Sequence, residues 1–240
     1  MSRPSAIAAA KRLLLDANVK DPGPKVDQLP SVTKPEDQVV DPLASVIEAY
    51  QNQPHTPELV TQTHQAIWQV RGEFVGASFE VTPCPYTREQ LADLEASGKR
   101  VGYLPAELAT QQTRHRLGGM FQEGNSVTND EDPSGWFDYE VAIKPPYPDT
   151  KEGQLMDMIE NDGRKILSLN QYIVASQDSK LFTGKYLDED SNWVRLGSRL
   201  DGRIVDAHFS GDGDLCVLWS LNVGDHYPFL GGRSSGVKKA

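Results

Sequence analysis

The last sixty residues constrain the fold most. "LFTGKYL", "WVRLGSR", "RIVDAHF" and "LCVLWSL" are four short runs rich in β-branched, aromatic and leucine residues. The segments between them, "DEDSN", "LDG" and "SGDGD", are built from Asp, Gly, Asn and Ser. Those residues supply the positive φ angles and local hydrogen bonds that hairpin turns need. Connections this short join antiparallel neighbours, so the sequence predicts a four-stranded antiparallel β-meander over about residues 181–221. No repeat of solenoid or propeller period occurs. The tail "GDHYPFLGGRSSGVKK" reads as loop.

A meander must cover one face, and the central region offers helices to do it. In "PLASVIEAYQ", Leu43, Val46, Ile47 and Tyr50 form a one-sided helical stripe. "TPELVTQTHQAIWQVR" opens with Thr56 as N-cap and Pro57 at the first helical position. Its His64 shares a face with Val60, Ile67 and Trp68, with no second histidine one turn away, and reads as a core histidine. "GEFVGASFEVTP" reads as a strand, and "TREQLADLEASGK" as a helix with a Thr87–Gln90 capping box and a stop at Gly98. "PAELATQQTRHRLGG" reads as a helix whose last turn carries Arg114, His115 and Arg116, where positive charge suits the macrodipole. In "WFDYEVAI" the residues Phe137, Tyr139, Val141 and Ile143 face one way, Asp138 and Glu140 the other. An Asp149–Glu152 capping box is expected to start the next helix. "LSLNQYIVASQDSKLF" is ambiguous and reads best as a helix handing over to a strand near Leu181.

Before all this stands "KDPGPKVDQLPSVTKPEDQVVDP", in which Pro22, Pro24, Pro30, Pro35 and Pro42 break any regular element. Residues 1–42 are therefore expected to be a short amphipathic helix and a Pro-rich flexible arm. Lys11 and Arg12 interrupt the apolar stretch that a secretory leader would need. Residues 43–240 are expected to form one α+β domain: central helices with a few strands, and the C-terminal meander.

The formal net charge of −10 repels phosphate backbones and anionic lipid, so direct nucleic-acid binding and membrane association are poor expectations. No run approaches the length of a membrane span, and the default location is the cytoplasm. Two distant cysteines make neither a disulfide framework nor a zinc site. Cys216 reads as a buried small hydrophobe and proline-flanked Cys84 as exposed.

Three constellations are candidates for chemistry. In "VDAHFSGDGDLCVLW", Asp206 and His208 share one strand face, and an aspartate beside a histidine can fix its tautomer for general-base work. Asp212, Asp214, Asp225 and His226 follow as oxygen and nitrogen ligands for a divalent metal, although "SGDGD" is also ordinary turn chemistry. "TNDEDPSGWFDYE" offers Asp130, Glu131, Asp132, Asp138 and Glu140, without the glycine and distal glutamate of a calcium-binding EF-hand loop. "FLGGRSSG" has the glycines, Arg233 and serines of an anion cradle but no strand–loop–helix context. No G-x-S-x-G, H-E-x-x-H or C-x-x-C set occurs.

The leading expectation is a soluble cytoplasmic protein that binds another protein and needs no cofactor. The alternative is a metal-dependent or acid/base hydrolase using Asp206 and His208 with the nearby carboxylates. An acidic decoy for a nucleic-acid-binding partner is the third class.

Overall fold

The computed structural model describes residues 42–117, 127–129, 134–189, 192–219, 224 and 226–236. The expected N-terminal helix and arm lie outside the described residues apart from Pro42, as do Asp130, Glu131, Asp132 and Asp225. Among the described residues no helix is long and apolar enough to cross a membrane.

Helix α1 (Pro42–Asn52) packs on α2 (Pro57–Val75). Thr56 caps α2 as expected, its hydroxyl accepting from the Leu59 amide at 3.2 Å. The chain then runs over residues 77–86 without regular structure and without joining a sheet, so the strand expected there is absent among the described residues. Helix α3 (Arg88–Ala96) carries the expected capping box: Thr87 and Gln90 exchange side-chain and backbone bonds at 3.3 and 3.0 Å. Strand β1 (Lys99–Leu104) follows and pairs antiparallel with β3 (Gly135–Glu140). Between them, the helix expected from Pro105 is instead two short 3-10 turns, Ala106–Leu108 and Arg114–Leu117. Arg114 lies buried there, donating to Asn170 Oδ1 at 2.7 Å and to the Val127 carbonyl at 2.6 Å.

Helix α4 (Glu152–Asn161) starts two residues later than expected, because Lys151 is its N-cap residue and Asp149 adopts a left-handed φ of 58°. Helix α5 (Leu169–Thr183) is the centre of the protein. It touches β1 on one side and β5 (Trp193–Leu200) on another, and its apolar and polar residues alike are buried. Each buried polar group then needs a partner. Asn170 donates to the Leu108 carbonyl at 2.8 Å, Ser176 accepts from the Leu187 amide at 3.0 Å, and Gln177 donates to the Leu117 carbonyl at 2.7 Å.

The fold class is α+β, as expected, and a line of four antiparallel strands exists at the C-terminal sheet. Its order is β2 (Thr128–Asn129), β5, β6 (Arg203–Phe209) and β7 (Leu215–Trp219). The expected first strand, residues 181–187, is instead the end of α5 and a turn, since the α5 capping box at Ser168 and Gln171 carries the helix on to Gly184 (φ 79°). The β5–β6 hairpin closes on Asp201 (φ 51°) and Gly202 (φ 77°), the two-residue positive-φ turn that "LDG" promised. The sheet is mixed, because β8 (Leu230–Gly232) pairs with β5 in parallel. The tail ends in β9 (Ser234–Ser235), which pairs with β4 (Lys165–Ile166).

Val194, Leu196, Val205, Ala207, Phe209, Leu215 and Val217 form the inner face of the sheet and share one core with Leu169, Tyr172, Ile173 and Val174 of α5. A second cluster joins α1, α2, α3 and Val101 to Phe182, and includes Cys84. The two cysteines are thus the reverse of expectation. Cys84 is buried, while Cys216 faces out because Leu215 and Val217 take the inward positions of β7.

Candidate functional site

Asp206 and His208 share the outer face of β6, as their spacing dictates, but they do not act as a pair. Asp206 lies opposite Arg195 in register, its Oδ1 3.7 Å from Arg195 Nε. The His208 ring packs on Trp193, centroids 4.2 Å apart, and its Nδ1 accepts and donates no hydrogen bond. Partial burial lowers the His208 pKa below 6.5. An imidazole that no carboxylate orients, and that burial keeps neutral, lacks the positioning a general base needs.

The metal candidates take separate places. Asp212 and Asp214 are exposed in a turn closed by Ser210 N to Asp214 O (2.9 Å) and Gly213 N to Ser210 O (3.0 Å), with Gly213 at φ 94°. His226 Nδ1 lies 2.8 Å from Asp149 Oδ1 in an exposed pair. Asp225 is outside the described residues. No three His, Cys, Asp or Glu side chains gather as a metal site among the described residues.

Asp138 and Glu140 are not a solvated strand face. Asp138 is bound by Arg164 and by the Gly236 amide (3.1 Å), and Glu140 accepts from the Ser234 amide (3.0 Å) and the Ser234 hydroxyl. "FLGGRSSG" supplies all of those partners except Arg164. Its Arg233 is fully buried and grips Asp188 through two bonds of 2.7 and 2.8 Å, with further bonds to the carbonyls of Glu140 and Ala142. The two glycines serve close packing: a Cβ at Gly232 would stand 2.5 Å from Leu155 Cδ1, and one at Gly231 would strike the Pro146 carbonyl. The segment is a buried clamp: the Arg233 guanidinium, the Ser234 amide and hydroxyl and the Gly236 amide all donate to protein acceptors, and the Ser235 hydroxyl alone among its side-chain donors is buried without one.

Beside His226 the chain makes a tight turn. The Tyr227 carbonyl accepts from Leu230 N (3.0 Å) and from Asp149 N (3.2 Å), and the Phe229 carbonyl accepts from Trp193 N (2.8 Å). On this turn the rings of Tyr227 and Phe229 stack at 5.2 Å and 7°, while the two residues are 44 % and 47 % exposed. The loop that receives it is strained, with Tyr147 and Asp149 both at positive φ.

No protein family matches the chain, and neither does any curated protein or solved structure.

A separate polar cluster, which the sequence did not reveal, lies among α1, α2, α5, β1 and β3. His64 (fully buried) stands 4.0 Å from Asp178 Oδ2 and edge-on to Trp136 at 5.1 Å. Asp178, also fully buried, accepts from Arg71 Nη2 at 2.8 Å. Burial depresses the His64 pKa to about 4, against the pull of Asp178, so the ring is neutral. Tyr50 and Tyr139 are buried beside Arg100 and Asp178, and burial pushes both phenols well above their ordinary range. The signal for this cluster was unavailable to local spacing, because α2 and α5 are far apart in sequence and meet only through the fold.

Proposed function

We propose that the chain is a cytoplasmic binding protein whose partner is another protein, docked on the Tyr227–Phe229 turn. One observation carries the reading: two large aromatic rings stacked on each other yet nearly half exposed, on a turn fixed by backbone hydrogen bonds. Aromatic residues dominate the energetics of interface centres, and a rigid turn loses little entropy on binding. The His226–Asp149 pair beside the turn supplies a polar rim. The net charge of −10 favours a basic partner.

The test is a comparison of the wild type with the Tyr227→Ala/Phe229→Ala double variant as baits. Both residues are nearly half exposed on a turn outside the core clusters, so the variant is expected to melt close to the wild type and to lose its partner. A folded double variant that retains the same partner with unchanged affinity would remove the turn from the proposal.

A further inference from the structure

The outer face of the C-terminal sheet is covered on one half. On β5 and β8 it lies under α4 and the loop before that helix. Arg195 is fully buried there and donates to the Thr150 carbonyl, and a Cβ at Gly232 would stand 2.5 Å from Leu155. Two rows of residues continue across the sheet in register. Trp193 meets His208 with ring centroids at 4.2 Å, and His208 pairs with Cys216 of β7. Arg195 pairs with Asp206, and Asp206 with Leu218. On β6 and β7 these rows lie open: Leu218 is 51 % exposed and Cys216 is exposed, while Leu215 and Val217 face the core. The exposed carboxylates of Asp212 and Asp214 stand at the end of this apolar strip. Among the described residues β7 is also an edge strand. Sheet edges are ordinarily blunted by lysine, proline or a bulge, and "LCVLW" has none of the three.

The N-terminal segment has the chemistry to cover this face. Residues 1–20 carry Arg3, Lys11, Arg12 and Lys20 against Asp16, a charge of +3 in a chain of −10, which leaves −13 on the remainder. Ile7, Ala10, Leu14 and Ala17 recur at helical spacing and Leu13 widens the stripe, with Lys11 and Lys20 at its two margins. We infer that residues 7–19 dock as a helix on the outer face of β6 and β7, the apolar stripe over Cys216 and Leu218. A helix laid on an open sheet face completes a layer of the usual kind. The lengths agree. Residues 7–19 rise about 20 Å as a helix. Strands of seven and five residues run about 23 and 17 Å. Residues 21–41, which join the segment to α1, span up to about 70 Å and so reach any face of a domain this size. The margin lysines complement Asp212 and Asp214. A second copy of the chain would instead bring −10 against −10.

The experiment follows alkylation of Cys216 by iodoacetamide in the native full chain at low ionic strength, read by mass spectrometry. Cys84 is buried and serves as the slow internal reference. The proteins are the wild type, Lys11→Glu/Lys20→Glu and Leu14→Asp. Both variants are expected to react at Cys216 roughly tenfold faster than the wild type, because the docked segment no longer shields the thiol. Added salt is expected to speed the wild type and to leave the charge variant unchanged. Leu218→Lys alters the receiving face at an exposed position and is expected to speed tryptic cleavage after Lys11 and Arg12. Equal Cys216 rates in the wild type and both variants would overturn the inference. So would shielding that persists in the variants and falls on dilution, which would put a second copy over the face.

Discussion

Acid should weaken this protein through His64, by an amount the structure sets. The groups facing the ring are Asp178 from α5, Arg71 from its own helix and Arg100 from β1, and burial outweighs them all. The folded-state pKa of about 4 lies below the unfolded value of 6.5, so the unfolded chain binds a proton that the native protein refuses. The stability this provides is present above pH 6.5 and is lost as the pH falls towards 4. In full it amounts to about 3 kcal/mol, and moving from pH 8 to pH 5 forfeits about 2 kcal/mol of it. His208 contributes in the same sense, while Asp138 and Asp188, raised by burial, oppose it. The informative quantity is therefore a difference. Urea unfolding of the wild type and of His64→Leu at pH 8 and pH 5 should show the variant losing about 2 kcal/mol less between the two. Leucine nearly matches the volume, so at pH 8 the two proteins should agree within about 1 kcal/mol. Parallel losses in the two proteins would refute the reasoning, because His64 would then not be the proton acceptor.

Three further outcomes are expected. Arg233→Met leaves Asp188 charged and buried without its partner and should cost about 3–5 kcal/mol by chemical denaturation, with Asp188→Asn in the same chain recovering part of it. Gly232→Ala drives a Cβ against Leu155 and should cost about 1–3 kcal/mol, whereas Gly153→Ala, whose Cβ meets open space on α4, should not destabilise. Melts with Mg²⁺, Mn²⁺, Ca²⁺ or Zn²⁺ should show no selective rise, since the candidate ligands stand apart; a rise with one metal that disappears in His208→Ala would restore the hydrolase reading.

Much of the fold was legible where local chemistry decides it. "LDG" could hardly be anything but a hairpin turn, and Thr87 with Gln90 marked the start of a helix. The misreadings share a cause: the deciding contacts are distant in sequence. Helix α5 carries no apolar stripe because it is buried all round, so periodicity cannot distinguish it from a strand. "LCVLW" is apolar throughout, and nothing local says that Leu215 and Val217, rather than Cys216, face inward. Asp206 and His208 were rightly placed on one face, but Arg195 and Trp193 come from the neighbouring strand and separate their roles. His64 was legible as a core residue; the aspartate and arginines around it were not, because α5 and β1 bring them. The aromatic turn at 227–229 passed as a featureless tail, since a turn acquires meaning only once its rings are seen to be exposed.

Residues 230–236 bind β5 along one edge, β4 through Ser234 and Ser235, and β3 through Glu140 and Asp138. Arg233 lies in the middle of them with its guanidinium saturated. Such a segment has no low-energy way of fraying, because releasing it parts Arg233 from Asp188 and strips Glu140 of its Ser234 bonds together with two strand pairings. The amides it protects or uses, among them Leu167, Gly232 and Ser234, should accordingly exchange with deuterium only when the entire molecule unfolds, which would place the slowest-exchanging backbone of the protein in a stretch that resembles a flexible linker.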